Sequence, residues 1–289
     1  MVFTGGDPRE PGDYLASHDF FGPASRENTR PTSVLYRSSD RGETWTRHRS
    51  FDGCFWSGLF VHQGAVYFLG TDRGNGRIVI SRSPDNGLTW TAPLDATSGL
   101  LTPKAHYQTV PMPVLEYNGR LWRACENILP GTKWSGMRFQ ACILSIPTGA
   151  DLLQATNWTF SNCVKGDTNW LDGRFRGWLE GNTVLDRNGN LVSLFRIETP
   201  PGLEAAAMLN ISADGKTARF DPATGFISMP GGSTKFLIRF DPKSSFYWAL
   251  ANPASKAPEA TNRVPGSIRN TLALLHSRDL RTWEIRSIL

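Results

Sequence analysis

Ser38-Ser39-Asp40-Arg41-Gly42-Glu43-Thr44-Trp45 recurs as Ser83-Pro84-Asp85-Asn86-Gly87-Leu88-Thr89-Trp90. A looser copy, Ser277-Arg278-Asp279-Leu280-Arg281-Thr282-Trp283, lies near the C-terminal end. In this unit the Asp accepts hydrogen bonds from the backbone of its own turn, and a Gly two residues later takes positive φ. The Ser and Thr hydroxyls close the loop. The Trp then plugs the loop back onto the strands, so the unit reads as a hairpin turn with an anchor. Trp45, Trp90 and Trp283 are accordingly expected to be largely buried.

Outward from the second turn the chain alternates strand and turn. Trp56–His62, Ala65–Gly70 and Gly76–Ser83 read as three strands, and Trp90-Thr91 opens a fourth beyond the turn. A four-stranded antiparallel meander with the boxed turn between its third and fourth strands is one blade of a β-propeller. Before it, residues 1–13 are rich in Gly and Pro and read as a loop, while Tyr14–Asp19 and Ser33–Ser38 read as strands.

The pattern drifts but continues. Met112–Tyr117, Asn118-Gly119 and Leu121–Glu126 form a hairpin pattern, followed by Gln140–Ser145, a decayed box ending at Trp158, and a helical turn at Ala150–Gln154. Asn182–Asp186, Leu191–Ile197 and Ala206–Ser212 lead into a worn box at Ser212–Lys216, and Lys235–Phe240, Phe246–Ala251 and Asn270–Ser277 into the last. Box-like turns therefore begin at residues 38, 83, 145, 212 and 277. The expectation is an all-β propeller of four-stranded antiparallel blades, forming one domain over residues 1–289. About five blades are visible, and the first lacks its opening strands. With its final strand barely complete, the chain reads as truncated from a larger ring by one or two blades; a closed five-bladed ring is the competing reading.

Composition narrows the function classes. The hydrophobic fraction of 39% over 289 residues supports a buried core. Ten Trp exceed what the turns use, leaving aromatic faces for sugar rings. The net charge of +5 favours an acidic partner. The basic residues form no run, so an acidic oligosaccharide or polysaccharide fits better than nucleic acid. Cys54, Cys125, Cys142 and Cys163 contain no CxxC pair, which argues against zinc and leaves buried thiols or one or two disulfides. The opening residues are too short and polar for a signal peptide, and no run is apolar enough to span a membrane.

Polar residues beside the inner strands are the candidates for chemistry. His62 ends the strand Leu59-Phe60-Val61, and His106-Tyr107 precedes Val110-Pro111. Arg123 interrupts an apolar strand, with Glu126 or Glu180 as a carboxylate partner. Arg176-Gly177-Trp178-Leu179-Glu180 is a dense polar and aromatic stretch, and Arg196 sits within Leu194-Phe195-Arg196-Ile197-Glu198.

The pattern Ser-x-Asp-x-Gly-x-Thr-Trp resembles the Asp-box of the sialidase-like (BNR-repeat) β-propellers. The strings Leu15–Gly22, Gly177–Asn182 and Phe220–Phe226 are similar to a group often named exo-α-sialidase, closest to rhamnose–glucuronate lyases, and the similarity runs from about residue 14 onward. It implies His62 as base, Tyr107 as acid, and Arg123 with Arg176 on a uronate carboxylate; Arg174 and Arg196 are rivals for Arg176. His106, Glu180 and Arg196 complete the expected substrate contacts. A structural calcium ion in the channel is implied by resemblance only, and no metal ligands are assigned. True sialidases carry Phe/Tyr-Arg-Ile-Pro near the N-terminus, whereas Phe195-Arg196-Ile197-Glu198 lies deep in this chain and lacks the Pro. The expected function is therefore β-elimination at a glucuronate. An exo-α-sialidase-type hydrolase is the alternative, and a non-catalytic glycan-binding propeller a third reading. A longer form carrying a signal peptide would be secreted or periplasmic.

Overall fold

The computed structural model describes residues 2–3, 13–20, 32–129, 136–256 and 262–289. Residues 4–12 of the expected N-terminal loop, and Phe21 and Gly22, lie outside them. The fold is an all-β propeller of five small antiparallel sheets. Among the described residues the only α-helix is the four-residue Trp170–Gly173, and no helix is long and apolar enough to cross a membrane.

The chain divides into two compact units. The first comprises Met1–Val114, Asn118–Arg120 and Ile146–Trp158. Its first sheet runs in order β1 (Val2–Phe3), β2 (Tyr14–Asp19), β3 (Thr32–Ser38) and β4 (Thr46–Asp52). Blade one is thus not missing its opening strands: Val2 and Phe3, expected in a loop, pair with Leu15 and Tyr14. The second sheet has three strands, β5 (Phe55–His62), β6 (Ala65–Thr71) and β7 (Ile78–Ser83). The fourth strand expected from Trp90-Thr91 does not form. Thr91 donates to the Arg82 carbonyl, but Pro93 has no N–H to continue a ladder. The chain detours through a turn at Asp95–Ser98 and returns to β7 at Gly99–Leu101. Leu15, Leu35 and Val66 form one core of this unit, with Phe51, Leu59 and Trp90 packed against it. A two-residue strand, β8 (Tyr107–Gln108), follows.

The second unit comprises Leu115–Tyr117, Leu121–Ser145 and Thr159–Leu289. In its first sheet β9 (Leu115–Tyr117) pairs with β10 (Arg120–Ile128), which neighbours β11 (Phe139–Pro147) and then β12 (Thr159–Phe160). The next runs β13 (Gly177–Leu185), β14 (Leu191–Glu198), β15 (Ala205–Ile211) and β16 (Ala218–Arg219), with β17 (Phe226–Ser228) also on β15. The last is β18 (Leu237–Asp241), β19 (Phe246–Ala251), β20 (Ala273–Ser277) and β21 (Glu284–Ile288). Ala150–Gln154 is a non-helical turn, and a short 3₁₀ segment follows at Ala155–Asn157.

The boxed turns work as their residues dictate. Ser83 Oγ donates to Asp85 Oδ1 at 2.8 Å and accepts from Gly87 N at 2.7 Å. Asp85 also takes the Thr89 N–H at 2.8 Å and the Thr89 hydroxyl at 2.5 Å. The box at Asp40 repeats these bonds. Positive φ falls on two successive residues, Asn86 and Gly87, and in the shorter third copy on Leu280. In all three copies the Trp indole N–H donates to a turn carbonyl: Trp45 to Gly42 at 3.0 Å, Trp90 to Gly87 at 2.8 Å and Trp283 to Leu280 at 3.0 Å. Only Trp283 is buried, however; Trp45 and Trp90 are half-buried, contrary to expectation. The indole hydrogen bond therefore does not set burial, because all three copies share it; Trp90 still packs against the core beside Phe51 and Leu59.

Candidate functional site

Charged side chains converge inside the second unit. β13 carries a bulge between Trp178 and Gly181, which inserts Leu179 and Glu180 out of register with β14. Glu180 is thereby turned toward Arg196 on β14, with Oε2 2.8 Å from Nη1, and Lys235 Nζ lies 3.6 Å from Oε1. Arg196 also donates from Nε to the Ser233 carbonyl at 3.1 Å.

Glu126 on β10 completes the group. A backbone hydrogen bond from Gly181 reaches its carboxyl, and Glu180 and Lys235 act on it electrostatically. The approach of β10 to β13 depends on Gly181: a Cβ there would stand 2.7 Å from both Ala124 Cβ and Phe195. Glu126 and Glu180 are only 1% and 4% exposed. The cluster meets solvent through the partly exposed Lys235 and through Arg269, which feels the charges of both Arg196 and Glu180.

The two carboxyls are driven apart. Burial pushes Glu126 well above the usual carboxylate range, and the negative charge of Glu180 adds to that; Arg123, Lys235 and the Gly181 bond oppose it without prevailing. Burial also pushes Glu180 upward, but the Arg196 and Lys235 charges outweigh it and leave the group below its ordinary value. Glu126 Oε2 is buried with no hydrogen-bond partner among the described residues, as suits a protonated carboxyl rather than a carboxylate. Glu126 is thus biased toward the neutral acid and Glu180 toward the carboxylate, with Arg196, Lys235 and Arg269 supplying more positive charge than Glu180 cancels.

Of the residues singled out in the sequence, Glu180 and Arg196 come together here. Arg123 lies three residues from Glu126 and so projects from the opposite face of β10. It is fully buried, and desolvation lowers its guanidinium to about 10. Arg176 donates its backbone N–H to the Glu198 carbonyl at 2.9 Å, and Glu198 Oε2 in turn accepts from Gly136 N at 3.1 Å. Arg174 is tied to Asp172 on the surface, at 3.2 Å. His106 is exposed.

His62 and Tyr107 are not brought together. His62 ends β5 at its turn with β6 and contacts the Thr148 carbonyl through Nε2 at 2.9 Å. Tyr107 is held at the other end of the blade, its N–H on the Gly76 carbonyl at 2.7 Å. The length of β6, about 20 Å, separates the two ends.

Lys235, Arg269 and the acidic role of Glu126 escaped sequence reading. Lys235 and Arg269 sit in loops with no motif around them. Glu126 had a signal, a carboxyl within the apolar stretch Leu121–Ile128, but its significance depends on Glu180, which is remote in sequence. Among the described residues no group of three or more His, Cys, Asp and Glu side chains is arranged to hold a metal, and no ligands are assigned to the calcium that the resemblance implies.

A cavity of about 520 Å³ lies elsewhere, at the β13–β14 turn end of blade four, lined by Val184, Leu185, Arg187, Ile238, Phe240 and Tyr247 among others. It is mainly apolar and lacks a carboxyl pair. The charged cluster is the better candidate for acid–base chemistry, because it holds two carboxyls shifted in opposite directions.

No protein-family model matches the chain, and no curated protein matches it. Solved structures do. A Hadza microbial sialidase superposes with a TM-score of 0.63 at 14% identity, over 96% of this chain and 56% of that one. The GH93 α-L-arabinofuranosidase of Fusarium graminearum, solved with arabinobiose, gives 0.57 at 12% identity over 95% and 77%. A family 117 glycoside hydrolase of Zobellia galactanivorans gives 0.52 at 10% over 82% and 69%. The chain therefore spans little more than half the length of that sialidase. At such identities the likeness defines the fold: a β-propeller of the kind found in sialidases and other glycoside hydrolases.

Proposed function

We infer that this chain carries the catalytic centre of a glycoside hydrolase that acts on an acidic sugar through a pair of carboxyls. The observation that carries this reading is the opposed pair Glu126 and Glu180. In most glycoside hydrolases one carboxyl holds a proton for the departing oxygen and another stays ionised near the anomeric carbon, sialidases with their Tyr nucleophile being an exception. Glu126, neutral through burial, hands its proton to the glycosidic oxygen. Glu180, ionised, faces the positive charge that develops on the sugar ring. The surplus positive charge of Lys235 and Arg269 at the solvent side favours a sugar bearing a carboxylate. The names of the superposed sialidase and arabinofuranosidase support hydrolysis as the reaction class.

Uronate elimination, the reading first suggested by resemblance, needs a base and an acid flanking one sugar ring. The separation of His62 from Tyr107 gives that reading no support. Reporter glycosides of sialic acid, glucuronic acid and arabinofuranose distinguish the outcomes. Release of the reporter from an acidic glycoside, lost in Glu126→Gln, is expected. Appearance of an unsaturated, ultraviolet-absorbing uronate from a glucuronate-bearing oligosaccharide would support elimination. Binding of such an oligosaccharide without turnover would support a glycan-binding propeller.

A further inference from the structure

Three of the four cysteines form a row across neighbouring strands. The Leu129 N–H bonds the Arg138 carbonyl, a register that sets Cys125 on β10 opposite Cys142 on β11. On the other side of β11, Ala141 bridges Val164, which sets Cys163 opposite Cys142. The sulfurs follow the register. Cys125 Sγ lies 3.1 Å from Cys142 Sγ, and the Cys163 thiol is hydrogen-bonded to Cys142. Cys125 and Cys142 are buried, whereas Cys163 is partly exposed. Cys54 belongs to a separate apolar cluster with Phe68, Val79 and Leu100.

We propose that this row is a thiol–disulfide exchange site in which Cys163 takes up a small-molecule disulfide and Cys142 passes the oxidation inward to Cys125. The Cys163 sulfur attacks one sulfur of the reagent RSSR; the S–S bond breaks, one RSH leaves, and Cys163 holds a mixed disulfide. Cys142 loses its proton and attacks Cys163 Sγ, releasing the second RSH and forming a Cys142–Cys163 bond. Cys125 then attacks Cys142 Sγ, and Cys163 leaves as a thiol. Two protein thiols are oxidised to one disulfide while RSSR is reduced to two RSH. Because Cys142 is shared, the two cross-links are alternatives, and each oxidised molecule keeps one thiol of the row. Burial raises the Cys125 and Cys142 thiols above their ordinary range, and the Cys142 hydrogen bond together with burial raises Cys163, which keeps the exchange slow without altering its geometry.

The site is distinct from the carboxyl cluster but adjoins it through β10, where Cys125 directly precedes Glu126. The test is incubation of the native protein with glutathione disulfide, quenching by alkylation at timed intervals, and peptide mass mapping. Glutathione is expected first on Cys163, followed by a single intramolecular disulfide that always contains Cys142. Cys142→Ser is expected to stop at the Cys163 mixed disulfide, and Cys125→Ser to stop at Cys142–Cys163. In Cys163→Ser the Cys125–Cys142 bond should form at least about tenfold more slowly. Circular dichroism confirms that each variant is folded, and the order of labelling in the unsubstituted protein tests the route without any variant. Retention of all thiols, a cross-link through Cys54, or an unchanged rate in Cys163→Ser would overturn the proposal.

Discussion

Asp85 and Glu126 are both carboxyls inside repeated β-structure, and the fold treats them in opposite ways. Asp85 is partly exposed, and every hydrogen bond it makes is to a residue of its own turn. The Thr89 hydroxyl and N–H and the Ser83 hydroxyl favour its charge and lower it to about 2. Glu126 is enclosed by strands remote in sequence and has too few donors, so burial raises it. A local turn thus favours its ionised form, whereas a long-range packing of strands pushes Glu126 toward its protonated form. The first arrangement is structural and the second has the makings of a catalyst.

The largest effect that separates the two is expected at Glu180. Glu180→Gln leaves the buried Arg196 guanidinium without its partner carboxylate, and breaking such a pair costs about 3–5 kcal/mol. Urea unfolding measures this, and hydrolysis should be lost as well. Glu126→Gln is the sharper variant: an amide replaces a neutral carboxyl of the same shape, so stability should shift by less than about 1.5 kcal/mol. Activity on an acidic reporter glycoside should nevertheless fall about 10²–10⁴-fold. If both variants lose stability equally, Glu126 is not the protonated partner.

Among the turns, Trp283→Ala should cost about 3–5 kcal/mol because that ring is buried. Trp45→Ala, at a half-buried ring, should cost only about 1–2 kcal/mol by the area it covers. Equal losses on thermal unfolding would show that the anchors act through the indole hydrogen bond they share rather than through burial. Gly181→Ala, which drives a methyl against Ala124 and Phe195, should cost about 1–3 kcal/mol and loosen β10 from β13.

The smallest effects are those of pH, and their signs oppose. The turn carboxylates have folded-state values below their unfolded ones. Their contribution is present above the ordinary Asp value of 3.8 and is lost as pH falls toward about 2. Glu126 has a raised folded value. Its contribution is full below the ordinary Glu value of 4.5 and is lost as pH rises from there toward the folded value. Stability followed by denaturation from acid to neutral pH should therefore gain from the turns in the most acidic range and lose from Glu126 above it, the latter loss disappearing in Glu126→Gln.

The same contrast explains what could be read from the chain. Ser-x-Asp-x-Gly-x-Thr-Trp is legible because its partners lie within a few residues, and it led to the propeller. Strands such as Phe246–Ala251 were legible through their apolar and turn residues. The absent fourth strand of blade two was not, because Trp90-Thr91 begins as a strand should and only Pro93 diverts it. Arg123 drew notice as a charge in an apolar strand, but strand alternation sends it to the face away from Glu126. The bulge that aims Glu180 at Arg196 and the missing Cβ of Gly181 that admits Glu126 are properties of strand pairing, invisible until the strands are paired.

The measurement that bears most directly on the opposed carboxyl pair is a carboxyl titration by carbon NMR on protein labelled at the Glu side-chain carboxyls. Glu126→Gln and Glu180→Gln serve to assign the two signals. If the pair is as the structure places it, the Glu126 carbon stays in its protonated position well above pH 4.5 while the Glu180 carbon is already ionised below that value. If both carbons titrate together near the ordinary value, the two carboxyls are not held in opposite states, and the proposed division into acid and carboxylate is wrong.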